Sequence, residues 1–319
     1  MSGIRDLGRT SGTVPASTDL PTITGSIAFT NGPIARALNE YALVTGLSGL
    51  EALQLVGTNP GQAELIDWIV THYAQIAHLR DLTSLASRDY AVLNSFLEAH
   101  GFSPLFTPFP QSDVGITAIL DAPMKWVEAG ERTTITRMAG SQQATYPAFK
   151  LKSTGAKRQH LFDAGPFTDR VVIKTQNGHF VYLGMLPEDM EGPRDGAAVL
   201  KLARQMLGAR TQDTHDPAGV ILPMISFDNV SELPWLNGLA VGKSDTLNQC
   251  RQHVKFYMNE IGARISAAFA GVMFRSAPPA PYVINQHFVL AIADDTTPTT
   301  VLYLHPDDSW AEPPAGVIQ

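Results

Sequence analysis

Apolar side chains recur at helical spacing in five stretches of the chain. Asn31-Gly32-Pro33 supplies a cap and a proline at the first helical position, with Ile34, Leu38 and Tyr41 following on one face. Leu65, Ile66, Ile69, Val70, Tyr73 and Ile76 mark a second helix. A third starts at Asp89, packs through Val92, Leu93, Phe96 and Leu97, and stops at Gly101. The pattern predicts a fourth from Asp121-Ala122-Pro123 through Trp126 and Val127, and a fifth from Asp195 through Val199, Leu202 and Met206 to Gly208. The first two-thirds therefore reads as mainly helical and the last third as mainly extended.

Strands are clearest around Asn177-Gly178, where Val171-Val172-Ile173 precedes the turn and Phe180 to Leu186 follows it. Gly219 to Leu222 is a short apolar strand. Val254, Phe256 and Met258 alternate with Lys255, Tyr257 and Asn259, the period of a half-buried strand. Tyr282 to Ala293 and Thr299 to Leu304 read as another hairpin. Helices and strands do not alternate regularly, so the fold class is α+β rather than a doubly wound parallel sheet. Ser266 to Pro281 fits neither periodicity. It passes from small to apolar residues, reaches Arg275-Ser276, and ends in Pro278, Pro279 and Pro281, which favour extended, exposed backbone. It reads as a long exposed loop between strands, a place usually kept for function.

Composition narrows the classes. The 319 residues give 44% hydrophobic and 17% charged positions, which excludes intrinsic disorder. The 23 basic and 30 acidic residues leave a net charge of −7, so no footprint for nucleic acid is present. No apolar run suits a membrane span, and the N-terminal sequence lacks the apolar core of a secretory signal. Residues 1–27 read as a flexible arm, residues 28–319 as a single domain, and the expected setting is a cytoplasmic monomer. Cys250, the lone cysteine, excludes an internal disulfide and reads as a small buried hydrophobe.

No catalytic constellation stands out. Gly238 to Ser244 has three residues between its glycines where a phosphate-binding loop needs four, and Gly46-Leu47-Ser48-Gly49 lacks the second glycine of a nucleophile elbow. His72 and His78 lie on different helix faces, and Asp294-Asp295 and Asp307-Asp308 sit in turns. No cofactor, metal or enzymatic activity is indicated.

The exposed loop and its flanks resemble the serpin family of protease inhibitors. Met258-Asn259-Glu260-Ile261-Gly262 is similar to the family's V-N-E-x-G hinge, and Ala263 to Ala268 stands where the family has a run of small residues. Arg275-Ser276 resembles the basic-serine bond attacked in many inhibitory members. Ile284 to Val289 resembles the F-x-x-x-P-F strand after the loop, with His287 in place of proline. Weaker matches follow in order upstream: Leu47-Ser48 with Ala52-Leu53 at a helix start, Trp126-Val127-Glu128 in a later helix, Met185 to Glu188 ending a hairpin strand, and Leu222-Pro223 with Phe227. The chain is shorter than the family's usual length, and Ile265 and Phe269 interrupt the alanine-rich segment.

The resemblance implies helices around a large central mixed sheet, with a reactive-centre loop over about residues 263–281. It implies a bait mechanism. A protease attacks the loop and forms an acyl-enzyme, and the cut loop then enters the central sheet as a new strand, carrying the trapped protease with it. The native state must then be metastable. The reactive bond involves Arg275, Ser276 and Ala277; cleavage after Arg275 suits trypsin-like proteases, and the family's usual count places it after Ser276. The hinge comprises Glu260, Gly262, Ala263, Ile265, Ala267 and Ala268, with Ala263, Ile265, Ala267 and Phe269 on the inward alternation. The implied partner is a serine protease or, in the cytoplasm, a cysteine protease. The alternative is a non-inhibitory binding protein of the same fold, to which the interrupted hinge and the short chain point.

Overall fold

The computed structural model describes residues 25–315, apart from 77, 80, 123, 140–141, 153, 215–217, 244, 264–280, 295–296 and 308. In chain order the elements are β1 (Ile27–Phe29), α1 (Asn31–Val44), β2 (Leu55–Val56), α2 (Pro60–Ile76), β3 (Leu82–Ser87), α3 (Tyr90–Ala99), β4 (Gly115–Leu120) and β5 (Met124–Lys125). Then come β6 (Glu131–Ala139), β7 (Gln142–Leu151), β8 (Ala156–Phe162), β9 (Asp169–Lys174), β10 (His179–Met185), α4 (Gly196–Gly208) and β11 (Arg210–Asp213). The rest is extended: β12 (Val220–Pro223), β13 (Ile225–Glu232), β14 (Ala240–Val241), β15 (Asp245–Thr246), β16 (Arg251–Met258), β17 (Gly262–Ala263), β18 (Tyr282–Val283), β19 (Phe288–Asp294) and β20 (Thr297–Leu304).

A seven-stranded sheet in the order β1-β20-β19-β10-β9-β8-β11 separates two cores. Its central strands are mostly apolar because both faces are covered, and the two-residue period sorts their side chains between the cores. Val289, Ala291 and Tyr303 pack with α1, α2 and α4, while Phe288, Leu290 and Leu302 pack on the other side, against Phe149 and Leu222 of the β18-β12-β7-β6 sheet. Strand β16 is buried on one face only, through Gln252, Val254, Phe256 and Met258, as its alternation predicts.

The helices α2, α3 and α4 stand where their periodicity predicts. The Asp89 and Asp195 carboxylates accept from the backbone N–H groups of Ala91 and Ala198, satisfying donors that a helix start leaves free. The start of α1 differs from expectation. Asn31 is inside the helix, fully buried, and its Nδ2 donates to the Pro298 carbonyl at 2.7 Å, so it anchors the helix to the sheet instead of capping it.

Three further expectations need correction. The middle of the chain is extended rather than helical, since β4 to β10 fill most of residues 115–185. The helix read from Asp121 is absent: Met124–Lys125 is a strand, and Trp126 bridges to Thr175 across the β9–β10 turn. Long-range partners decide this, because Gln176 donates its N–H to the Lys125 carbonyl (2.8 Å) and its Nε2 to the Trp126 carbonyl (2.9 Å). Tyr282 to Ala293 is two strands, β18 pairing parallel with β12 and β19 joining the large sheet.

Candidate functional site

The hinge segment follows β16. At Met258 the chain reverses: Asn259 and Gly262 exchange backbone hydrogen bonds of 3.0 and 3.3 Å, and the Asn259 side chain accepts from the Ile261 N–H. Gly262 sits at φ +150°, where a Cβ would stand 2.5 Å from the Met124 carbonyl oxygen, so only glycine fits. That close approach lets Gly262 and Ala263 pair antiparallel with Lys125 and Met124 as β17. The Trp126 indole, 1% exposed and stacked on Phe149, donates its Nε1–H to the Asn259 carbonyl at 2.8 Å. Glu260 is largely buried, its carboxylate 2.7 Å from Nε of the more exposed Arg132, and its carbonyl accepts from the Gly130 N–H. Hydrogen bonds to Glu260 first and to Glu312 second raise the Arg132 guanidinium above its ordinary range.

Beyond the hinge lies a gap between two separate two-stranded sheets, β3-β4 and β13-β16. Strand β4 pairs only with β3, and β16 only with β13, so each keeps one edge without a strand partner among the described residues. Both line one cavity of about 610 Å³. Its inner wall includes Ile34 and Leu38 of α1, Ile292 of β19 and Thr300 of β20. Its outer wall is the strap of residues 101–112 that joins α3 to β4, with Leu105, Phe106 and Phe109 against the space. The strap is fastened to the β16 side: Lys255 Nζ donates to the Gly101 carbonyl at 2.8 Å, and Phe102 meets the His253 ring edge-on at 5.3 Å. On the β3 side, Arg88 donates to the Ser112 carbonyl at 2.8 Å.

Of the sequence-predicted site residues, Glu260 and Gly262 are placed at the hinge, and Ala263 is placed there by its backbone pairing. Ile265, Ala267, Ala268, Arg275, Ser276 and Ala277 lie outside the described residues. The far flank is described. Tyr282 enters β18 beneath the Arg158 guanidinium, 4.3 Å from the ring centre. His287, in the position of the family's proline, is buried, bonds the Pro187 carbonyl through Nε2 at 2.6 Å and meets the Tyr303 hydroxyl at 3.1 Å. The structure thus joins two segments that the sequence reading singled out separately. Trp126, by contrast, belongs to the hinge and not to a helix. Cys250 is half-buried and its thiol is pushed up to about 11 by burial, which suits an inert side chain.

No family model matches the chain, and no curated protein does. Solved structures do. The thermophilic serpin tengpin in its native state aligns over 89% of this chain and 89% of its own, with TM-score 0.55 and 9% identity. This chain has the serpin fold. Serpin48 of the insect Tenebrio molitor aligns over 89% of this chain and 92% of its own, at TM-score 0.50 and 10% identity. A thyroxine-binding globulin in complex with thyroxine aligns over 88% and 91%, again at 0.50 and 10%. Among the described residues of this serpin fold, no group of three His, Cys, Asp or Glu side chains could hold a metal, and no helix is long and apolar enough to cross a membrane.

Proposed function

We propose that the chain inhibits a serine protease as a suicide substrate, cleaved beside Arg275 and trapped by insertion of its cut loop. The observation that carries the reading is the seating of β17. Gly262 and Ala263 already form the first rungs of a strand between β5 and the end of β16, at one end of a gap flanked by two strand edges that have no strand partner among the described residues. The strand runs antiparallel to β5 and reverses the direction of β16, which is the sense a filling strand needs. Unpaired edges are a liability in a finished sheet, and a strand added between them gains hydrogen bonds on both sides. A basic Arg275 selects trypsin-like proteases.

The test is incubation with trypsin-, chymotrypsin-, elastase- and subtilisin-like proteases, read on a denaturing gel. A band at the summed mass and a released peptide beginning at Ser276 are expected. Cleavage in the loop without that band, across all four classes, sinks the inhibitor reading. A second reading, a non-inhibitory binding protein, draws support from the 610 Å³ cavity and from the thyroxine-binding globulin of the same fold.

A further inference from the structure

We propose that the cavity between β4 and β16 is a binding site for a single-chain anionic amphiphile, a free fatty carboxylate. Its volume of about 610 Å³ falls in the roughly 300–1,000 Å³ range of small-molecule sites. It corresponds to about twenty water volumes. The lining is mixed, with Thr117, Asn248 and Gln252 among its polar members, but Leu105, Phe106 and Phe109 of the strap and Ile34 and Ile292 opposite give it an apolar stretch. An apolar chain matches that stretch, and a polar headgroup the rest.

The rim supplies the sign of the headgroup. Lys255 and Arg88 both line the cavity, at the two ends of the strap. Lys255 has the Gly101 carbonyl and the Phe102 ring as partners, and Arg88 has the Gln111 and Ser112 carbonyls. Among the described residues neither cation has a carboxylate partner, in a chain whose net charge is −7. The two rim carboxylates are occupied, Asp113 by the Ser112 hydroxyl and Asp245 by the Tyr41 hydroxyl. With Arg251 also on the lining, three cations stand against these two carboxylates, so an anionic headgroup meets the more positive rim. The ligand lies where a filling strand would lie, so the two exclude each other. That competition rests on the inhibitor reading; binding itself does not.

The test is calorimetric titration of the full chain with oleate, below its micelle threshold, and with oleyl alcohol. One oleate per chain is expected. Ala118→Phe, which places a ring in the cavity from β4, should abolish binding of both probes. The double variant Lys255→Glu, Arg88→Glu should weaken oleate by about ten-fold and oleyl alcohol by less than about two-fold. Near-UV circular dichroism checks that each variant folds, and if Ala118→Phe does not, the charge-reversed protein decides. No saturable binding overturns the proposal. So does full binding by a folded Ala118→Phe protein, or equal weakening of both probes by charge reversal. In parallel, protein cut in the loop is heated with and without oleate present during the cut. A rise in Tm after cutting that oleate suppresses supports both readings. Oleate binding with no such rise removes loop insertion alone, and a rise with no oleate binding removes the ligand site alone.

Discussion

Gly262 and Trp126 carry the hinge between them, and single substitutions should expose their roles. Gly262→Ala forces a methyl group 2.5 Å from the Met124 carbonyl at a φ of +150°. The strain is of order 1–3 kcal/mol, to be relieved by opening the β5–β17 pairing. Hydrogen exchange of the Ala263 amide should speed up while the α4 amides stay unchanged. Trp126→Phe keeps a buried ring but removes the donor to the Asn259 carbonyl. The carbonyl keeps the Gly262 N–H, so losing the indole donor should cost about 0.5–1.5 kcal/mol in urea unfolding. A third residue gives a pH signature. Burial lowers the His305 imidazole pKa, His287 and Arg137 lower it further, and Asp307 partly offsets them. The unfolded chain therefore binds this proton more readily than the folded one. The contribution is present above the unfolded value of about 6.5 and is lost as pH falls through the lower folded value. The urea midpoint should drop between pH 7 and pH 5, and His305→Asn should flatten that drop.

At the scale of elements, what was legible depended on whether the cause was local. The caps Asp89 and Asp195, the apolar stripe of α2 and the Asn177-Gly178 turn act within a few residues, and their elements stand where the sequence places them. Strand β5 is two residues long and exists because Gln176 holds one side and Gly262 the other, so the helical spacing around Trp126 misled. The gap between β4 and β16 left no mark in the sequence at all, since a strand with a free edge has the same alternation as a paired one. The hinge was legible only through its resemblance to a family motif, and the strap of residues 101–112 was missed because it has no periodicity. The strap nevertheless has identifiable fastenings. Phe102→Ala removes the edge-on contact with His253 and the ring beneath Lys255. Amides of residues 103–110 should then exchange faster, with little change in global stability, because such contacts are worth about 0.5–1.5 kcal/mol.

For the whole molecule, the decisive property is that an uncut chain of this architecture is not at its lowest free energy if the gap can be filled from within. The seven-stranded sheet and its two cores do not need the gap closed, as their residues are buried already. Filling it therefore adds to the existing stability. Each new ladder hydrogen bond contributes about 0.5–1.5 kcal/mol net, and β4 and β16 offer six and eight residues of strand to pair with. The entropy of ordering the loop, roughly 1–2 kcal/mol per residue, offsets these bonds, so the net gain also needs the burial of the new strand's apolar side chains. Cutting beside Arg275 should therefore raise Tm by on the order of 10 °C, at a few degrees per kcal/mol. Differential scanning fluorimetry before and after limited trypsin digestion reads it directly. Ala267→Arg separates insertion from trimming. On the alternation that starts at Gly262 this position faces inward, and a buried unpaired guanidinium is costly enough to hold the strand out. The variant should be cut at the same bond as the parent protein, yet show no rise in Tm and no covalent complex. If it is cut and still gains the full rise, the gap between β4 and β16 is not where the loop goes.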